Sequence, residues 1–354
     1  MQWSQIAKRQ ANSSHGWCAI VGAPRCGTTS LARYLGSHPD ICVANVKEPH
    51  FFSRRDLGAE SDSSAAIQSE YIDRFFPHRR PGQLLLDGSV SYLYAPDRLK
   101  SAIAEWPGAR FIIAVRNPLE MVPSLHQRHI CNGDEDVAKF EGAWALVEER
   151  RQGKHIPRSC IDPRLLDYPE IGRIGKYVGR FFEAVGRKRC FVSVFDDLVA
   201  DPSRQYRRVL DFLSLPDDER RDFEPFRAST GLRSVRLQRL LKRPPIARTL
   251  IASEAALRRD GMAVEERIAA LPGVPSLKAL RKRLLKWNRT GAPPRELSER
   301  LRSEMCAVFA DDIDELSTLL GRDLSHWLIQ DSFALPKPTT SGFSKANPIQ
   351  HRPA

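Results

Sequence analysis

The 354-residue sequence contains no run of 18 or more uncharged apolar residues, so no membrane-spanning helix is expected. Its start, MQWSQIAKRQANSSHGW, lacks the apolar stretch of a secretory signal, which favours a cytoplasmic protein. The seven cysteines are odd in number, scattered and never spaced as CxxC, which argues against a zinc site or a disulfide framework. The sequence also lacks internal repeats, and it indicates no oligomeric state.

Charge of one sign is in excess: 55 Lys and Arg stand against 43 Asp and Glu, giving a formal net charge of +12. This surplus suits an anionic ligand or substrate, but it equally suits a nucleic acid. The basic segment from Arg233 to Arg289 is the candidate for nucleic-acid binding. Because the chain has no zinc-finger spacing and no aromatic RNA-binding signature, no nucleic-acid partner is expected.

Short apolar runs alternate with helical patterns through the first two thirds of the chain. The runs predicted to be strands are Cys18–Gly22, Leu84–Asp87, Arg110–Val115 and Cys190–Phe195. Strand, helix, strand in repetition predicts an α/β fold, with a parallel sheet flanked by helices on both faces. After about residue 232 the pattern is helical and includes a helix over Glu296–Leu320. We expect an extension at 1–16, one domain at 17–330 and a disordered tail at 331–354.

The most informative stretch begins at the first predicted strand and reads WCAIVGAPRCGTTSLARYL. A turn containing Gly22 and Gly27 leads into a helix that begins with three hydroxyl residues, Thr28, Thr29 and Ser30. A helix start leaves backbone N–H groups unpaired and carries a partial positive charge, so an anion such as phosphate can bind there. An ordinary strand-to-helix turn with capping hydroxyls is the other interpretation.

The spacing of Gly22 and Gly27 is that of a nucleotide P-loop, but Thr28 stands where that motif has lysine. The positive charge comes instead from Arg25, before the second glycine. ATPases and GTPases need the lysine on the β and γ phosphates. A P-loop-like small-molecule kinase or nucleotide hydrolase is therefore the alternative rather than the main hypothesis.

Residues 23–31, APRCGTTSL, resemble the loop with which sulfotransferases bind the 5′-phosphosulfate of 3′-phosphoadenosine 5′-phosphosulfate (PAPS). Four further segments follow in the order found in that family, so the resemblance covers most of residues 17–328. It implies a P-loop-like sulfotransferase domain over 17–330, PAPS as donor co-substrate and no metal. It assigns six consecutive residues to the donor site: Arg25, Cys26, Gly27, Thr28, Thr29 and Ser30.

A second segment, RFIIAVRNPLEMVPS, places Arg116 and Ser124 eight residues apart. They resemble the arginine and serine that bind the 3′-phosphate of the cofactor in the family. The planar donor fork of arginine suits a terminal phosphate. A helix-capping turn with a solvated arginine is the other interpretation. Arg233 or Arg236, in a later segment, is a further candidate for contact with that phosphate.

A third segment, KEPHFF at residues 47–52, resembles the heparan-sulfate type of sulfotransferase and its bacterial relatives. In that family the glutamate is the general base, and it matches Glu48, with the histidine matching His50. On its own, KEPHFF is typical of a solvated turn with two core phenylalanines. A weaker match, LLDGSVSY at 85–92, has Gly88 where some glycan-modifying relatives carry a catalytic lysine.

The resemblance predicts transfer of a sulfuryl group from PAPS to a hydroxyl or amine of an unidentified acceptor, by in-line displacement. Glu48 would remove the acceptor proton, Arg25 would stabilise charge on the bridging oxygen, and His50 would orient the sulfonyl oxygens or the acceptor. Whether Glu48 or His50 is the base stays open at this point. The expected partner is a small-molecule or glycan acceptor, with residues 133–170 forming part of its rim.

Overall fold

The computed structural model describes residues 16–54, 64–224, 231–242, 274–290 and 297–329. The expected tail at 331–354 lies outside these residues, as does the expected extension at 1–16 except for Gly16. The range 17–330 for a single domain stays a prediction.

A five-stranded parallel sheet forms the centre of the fold. The strands are β1 Trp17–Gly22, β2 Ile41–Val43, β3 Leu84–Asp87, β4 Arg110–Val115 and β5 Cys190–Val194. Their order in the sheet is β2-β3-β1-β4-β5, and every neighbouring pair is parallel. The α/β prediction with a parallel sheet is therefore confirmed. The three-residue edge strand β2 was not predicted, because it is too short to stand out as an apolar run.

Helices flank this sheet and dominate the C-terminal part. Before β5 they are α1 Thr28–Leu35, α2 Phe51–Arg54, α3 Ser64–Phe75, α4 Lys100–Glu105, α5 Pro118–Asn132, α6 Phe140–Ala145, α7 Val147–Arg151, α8 Tyr168–Gly172 and α9 Ile174–Val185. After β5 they are α10 Phe195–Ala200, α11 Pro202–Leu213, α12 Val235–Lys242, α13 Val274–Trp287 and α14 Glu299–Leu320. Five 3₁₀ turns complete the described elements, at Val90–Tyr94, Pro96–Leu99, Pro163–Leu166, Arg187–Arg189 and Ser325–Leu328.

Two details of the C-terminal part differ from the sequence-based expectation. The segment after residue 232 is not wholly helical, since β6 Gly231–Leu232 and β7 Arg289–Thr290 form a short antiparallel pair. The long helix begins at Glu299 rather than Glu296, because Ser298 caps it by accepting a hydrogen bond from the backbone N–H of Leu301 at 3.3 Å.

The strand order creates a crevice at one edge of the sheet. From β1 the chain goes to β2 and β3 on one side, and β4 leads to β5 on the other side. The loops after β1 and β4 therefore diverge although these strands are neighbours. Ligands of open α/β sheets bind at the carboxyl ends of the strands where the order reverses in this way. The fold thus predicts a binding site between the loops that follow Gly22 and Val115.

An aromatic cluster packs one side of the sheet and fixes the KEPHFF segment. Trp17 is fully buried and lies within 5.8 Å of the Phe52 ring centroid and 5.5 Å of the Trp106 centroid. Phe51 is also buried, and its centroid lies 5.3 Å from that of Tyr71. Both phenylalanines therefore belong to the core. Their burial anchors the backbone that carries Glu48 and His50.

Candidate active site

The loop between β1 and α1 follows a path that requires glycine at two positions. Gly22 has φ +141°, and a Cβ there would lie 2.4 Å from the backbone oxygen of Ala114 on β4. Gly27 has φ +84°, and its Cβ would lie 2.8 Å from Leu198. Arg25 between them has φ +70°, a conformation uncommon for a residue with a side chain. The loop therefore brings bare backbone to the start of α1.

Three of the residues that the sequence assigned to phosphate binding contact one another at this crevice. Arg25 Nε donates a hydrogen bond to Ser124 Oγ at 2.9 Å, from the loop to helix α5. Arg116 Nη1 donates to the backbone oxygen of Arg25 at 3.3 Å. Burial, together with the charges of Arg128 and Arg116, lowers the pKa of Arg25. Positive charge is thus concentrated here, and an anion would stabilise it.

Arg116 is also held by a residue that the sequence analysis did not identify. Its Nε and Nη2 both donate to Glu120 Oε2, at 3.1 and 2.8 Å. Its guanidinium carbon lies 4.3 Å from the centroid of the Phe195 ring. A phosphate at this position must therefore share the Arg116 guanidinium with a carboxylate. The i,i+4 spacing of the two residues could have indicated the pair, although Arg116 precedes the helix that carries Glu120.

The side chains of the remaining loop residues differ in how deeply they are buried. Cys26 is fully buried in the core, and burial raises the pKa of its thiol to about 12, so it packs as a neutral side chain. Thr28 and Ser30 are buried, whereas Thr29 is half-buried at the helix start. Cys26 therefore contributes to a ligand site through its backbone rather than through its sulfur.

Glu48 and His50 lie together on the segment that follows β2. His50 Nε2 is 3.4 Å from Glu48 Oε2, and Lys47 Nζ forms an ion pair with Glu48 Oε1. The Glu48 side chain is 30% exposed. Burial opposes its ionisation, but the hydrogen bond to His50 and the ammonium of Lys47 lower the pKa of Glu48 to about 2. Glu48 is therefore ionised at neutral pH and able to accept a proton.

The end of β3 supports the histidine. Asp87 is fully buried and accepts hydrogen bonds from Tyr71 Oη at 2.7 Å and Tyr92 Oη at 2.9 Å. It also accepts from the backbone N–H of Ser89 at 2.8 Å, and Ser89 Oγ in turn accepts from the backbone N–H of His50, also at 2.8 Å. This chain of contacts fixes the LLDGSVSY segment beside His50.

Gly88, in the same segment, lies against the backbone of Lys47. A Cβ at Gly88 would lie 2.7 Å from the Lys47 backbone oxygen. Any larger residue at this position would push the Lys47–His50 segment outward. The position that the family resemblance matches to a lysine is thus closed to a side chain in this protein.

The predicted site residues all follow carboxyl ends of strands in the sheet. Arg25 follows β1, Glu48 follows β2 and Arg116 follows β4, while the supporting Ser89 follows β3. Because these strands are parallel neighbours, their carboxyl ends lie at one edge of the sheet. The sequence-predicted donor residues and the Glu48–His50 pair therefore share one edge.

The later basic segment packs on the helix that carries Ser124. Gln238 Nε2, on α12, donates to the backbone oxygen of Cys131 at the end of α5, at 2.6 Å. The guanidinium of Arg233 lies over the ring of Trp287, 5.1 Å from its centroid. The structure thus places Arg233 in a stacking contact beside the antiparallel pair of β6 and β7.

Residues 133–170, which the sequence predicts to form part of the acceptor rim, contain helices as well as loops. They include α6, α7 and α8 and a buried ion pair, in which Arg150 donates to both Glu135 oxygens at 2.7 and 2.8 Å. Tyr168 Oη also donates to Glu135, at 2.9 Å. This buried ion pair connects α7 to the residues that follow α5.

Two features are absent from the part of the chain that the structure describes. Within residues 16–54, 64–224, 231–242, 274–290 and 297–329, no helix is long and apolar enough to cross a bilayer. The same ranges contain no group of three or more His, Cys, Asp or Glu side chains placed to hold a metal ion.

Known proteins similar to this chain are sulfotransferases, although no family model matches it. The chain is 24% identical over 209 residues to mouse heparan sulfate glucosamine 3-O-sulfotransferase 3B1, covering 55% of this chain and 45% of that protein. It is 25% identical over 210 residues to the human 3-O-sulfotransferase 6, covering 55% of this chain and 51% of that protein. The chain thus spans about half the length of the curated relatives it matches.

A solved structure shares the fold over most of the chain. It is a sulfotransferase from Alicyclobacillus acidocaldarius, with a TM-score of 0.58, 24% sequence identity, and coverage of 88% of this chain and 97% of that one. The likeness in fold extends well beyond the region of detectable sequence similarity. The chain is thus similar in sequence to sulfotransferases over about half of its length, and it shares their fold.

Proposed function

We propose that this protein transfers a sulfuryl group from PAPS to a hydroxyl or amine of a small-molecule or glycan acceptor. The observation that carries the proposal is the contact of Arg25, Ser124 and Arg116 at the crevice between β1 and β4. These residues come from the loop after β1 and from the loop and helix after β4, which diverge at the reversal of strand order, where α/β folds bind ligands. The positive charges of the two arginines and the hydrogen-bond donors of all three side chains suit a phosphorylated nucleotide.

The loop suits the phosphosulfate end of this donor. At Gly22 and Gly27 a Cβ would meet Ala114 and Leu198, so bare backbone lines the turn. Backbone N–H groups at a helix start bind anions without a lysine. Thr28 occupies the lysine position of nucleotide hydrolases and kinases, so the alternative reaction lacks its main phosphate ligand.

The proposed reaction assigns one task to each charged side chain. Glu48 takes the proton as the acceptor O–H or N–H bond breaks and the new bond to sulfur forms. The sulfur–oxygen bond to the donor phosphate breaks, and Arg25 stabilises the charge that develops on that oxygen. Arg116 and Ser124 bind the 3′-phosphate, and His50 orients the sulfonyl oxygens or the acceptor. Catalysis then consists of positioning and charge stabilisation.

The acceptor is proposed as a class rather than a compound. The relatives are named for a glucosamine of heparan sulfate, which suggests a glycan. The net charge of +12 favours an anionic acceptor. Gly88 leaves no side chain where some glycan-modifying relatives carry lysine, so the acceptor need not match theirs.

Transfer of labelled sulfate from PAPS to a panel of glycans, phenols and lipids tests the proposal. Glu48→Gln should lower transfer by about 10²- to 10⁴-fold, as expected on loss of a positioned general base. Its affinity for 3′-phosphoadenosine 5′-phosphate (PAP) should stay unchanged. Glu183→Gln, the same change on an exposed part of α9, is the control and should transfer normally. Normal transfer by Glu48→Gln would remove Glu48 from this role.

A further inference from the structure

Two helices of the C-terminal part, α12 and α13, lie in the most basic segments of the chain. Residues 231–242 and 274–290 together contain ten Lys and Arg and no Asp or Glu. The whole chain has a formal net charge of +12, so these 29 residues alone carry nearly that much positive charge. The proposed sulfuryl transfer assigns no task to them. A segment of this kind attracts an anionic surface or a polyanion.

Large apolar side chains are exposed on the same two helices. Leu240 on α12 is 57% exposed, and Leu280 and Trp287 on α13 are 52% and 57% exposed. They are three of the six large apolar side chains that are exposed in the part of the chain that the structure describes. Leu240 lies two residues from the buried Gln238 and therefore on the opposite side of α12. Leu280 and Trp287 are seven residues apart, so they share one face of α13, with the exposed Arg283 between them.

Hydrogen bonds on the inner side of the helices hold them in place. Gln238 Nε2 donates to the backbone oxygen of Cys131 on α5, at 2.6 Å. Asn288, which is fully buried, donates through Nδ2 to Gln238 Oε1 at 3.2 Å. Arg281 Nε, on α13, donates to the backbone oxygen of Leu241 on α12, at 2.7 Å. The two helices are thus attached to each other and to α5, and they present basic and apolar side chains together to solvent.

We propose that the outer side of these helices, a basic-apolar face made of Leu240, Leu280, Arg283, Lys286 and Trp287, docks the protein on an anionic lipid bilayer. Lysine and arginine bind the anionic headgroups, while leucine and tryptophan enter the interface beneath them. A nucleic acid or a sulfated polysaccharide would match the positive charge but would leave both leucines in water. Charge combined with exposed aliphatic side chains therefore favours a bilayer. The inference does not depend on the proposed sulfuryl transfer.

Co-sedimentation of the full chain with vesicles tests this docking. Two kinds of vesicle are compared, phosphatidylcholine alone and about three parts of phosphatidylcholine to one of phosphatidylserine. We expect binding to the anionic vesicles to be at least about tenfold tighter than to the neutral ones, and to weaken as salt is added. Leu240→Ala/Leu280→Ala, which leaves the charge unchanged, should weaken it by about tenfold or more. Val199→Ala, at an exposed apolar residue on α10, is the matched control and should bind normally.

Two further variants separate insertion from adsorption by charge alone. Brominated lipid in the anionic vesicles should quench the fluorescence of Trp287, and Trp287→Phe should lose that part of the quenching. Arg283→Gln/Lys286→Gln should weaken binding to the anionic vesicles by about tenfold or more, because each basic side chain near the surface contributes to the attraction. Arg300→Gln, at an exposed arginine on α14, is the control for charge and should have little effect.

Three results would overturn the inference. The first is no binding to the anionic vesicles by the wild type. The second is binding that the double leucine variant leaves unchanged, because the apolar side chains would then take no part. The third is salt-dependent binding of duplex DNA or of a sulfated polysaccharide without any binding of vesicles, which would assign the basic-apolar face to a polyanion. Unfolding of each variant by urea at the wild-type midpoint would show that its fold is intact.

Discussion

Arg25 Nε lies 2.9 Å from Ser124 Oγ, although 99 residues separate them in the chain. The contact joins the loop after β1 to the helix after β4, across the crevice where the strand order reverses. Both residues were assigned to a nucleotide donor from their motifs, and the fold brings them into contact. The contact gives a direct way to test the donor site.

Removing the Ser124 hydroxyl should weaken donor binding. Ser124→Ala deletes the acceptor of the Arg25 hydrogen bond and a proposed phosphate donor. Hydrogen bonds to charged groups contribute about 1.5–3 kcal/mol, so the Kd for PAP should rise by roughly 10- to 100-fold. Calorimetric titration measures this, with Ser69→Ala as control, since Ser69 lies on α3 and its hydroxyl contacts the exposed Asp73 at 3.4 Å. An unchanged Kd in Ser124→Ala would place the phosphate elsewhere.

Arg116 and Glu120 should have opposite effects on the same titration. Arg116→Ala removes the proposed 3′-phosphate ligand and should weaken PAP binding by about 30-fold or more. Glu120→Gln frees the guanidinium that Glu120 Oε2 now holds at 2.8 Å, and it removes a like charge from the phosphate. Its PAP affinity should equal or exceed that of the wild type. Equal weakening in both variants would contradict this account, because it would mean that the pair is only structural.

His129 should make stability depend on pH. Burial lowers the pKa of His129 to about 4, and neither ring nitrogen has a hydrogen-bond partner among the described residues. Between the usual value of 6.5 and about 4, the unfolded chain binds a proton that the folded protein does not, so acidification through this range destabilises the fold. His129→Leu should lose this dependence, which amounts to roughly 2–3 kcal/mol. Urea unfolding at several pH values from 8 to 4 measures the difference, and parallel pH curves for both proteins would be evidence against it.

Removing one partner of the buried Arg150–Glu135 ion pair should destabilise the fold more than replacing both partners. Arg150→Met leaves the Glu135 carboxylate buried without its partner and should destabilise the fold by about 3–5 kcal/mol. The double variant Glu135→Gln/Arg150→Met removes the charge and keeps an oxygen for Tyr168. It should therefore unfold at higher urea concentration than Arg150→Met alone. The reverse order would show that the pair is not the source of stability here.

The sheet was largely predictable because its strands are buried on both faces. Short continuous apolar runs such as RFIIAV are typical of strands buried on both faces, and β4 matches its predicted range of Arg110–Val115. The edge strand β2 was missed because three residues form no run. The charged residues Glu135 and Arg150 gave no sign of burial, since charged side chains are ordinarily exposed and their pairing depends on the tertiary fold.

Residues of the candidate site that lie in recognisable motifs could be predicted from the sequence. Residues that reach the site only through tertiary contacts could not. Arg25, Arg116 and Ser124 were predicted from spacing and resemblance, and the structure brings them into contact. Ser91 was not predicted, because its contact with His50 spans 41 residues and follows no local pattern. The left-handed backbone of His50 likewise cannot be inferred from its residue type.

The central claim is that the β1–α1 loop and Arg116 bind the nucleotide of PAPS rather than a nucleoside triphosphate with magnesium. Calorimetric titration of the purified protein with PAP, and separately with ATP and magnesium, tests it most directly. We predict tight binding of PAP, weakened in Arg116→Ala, and no comparable binding of ATP with magnesium. Binding of ATP with magnesium and not of PAP would contradict the account and favour a kinase or nucleotide hydrolase.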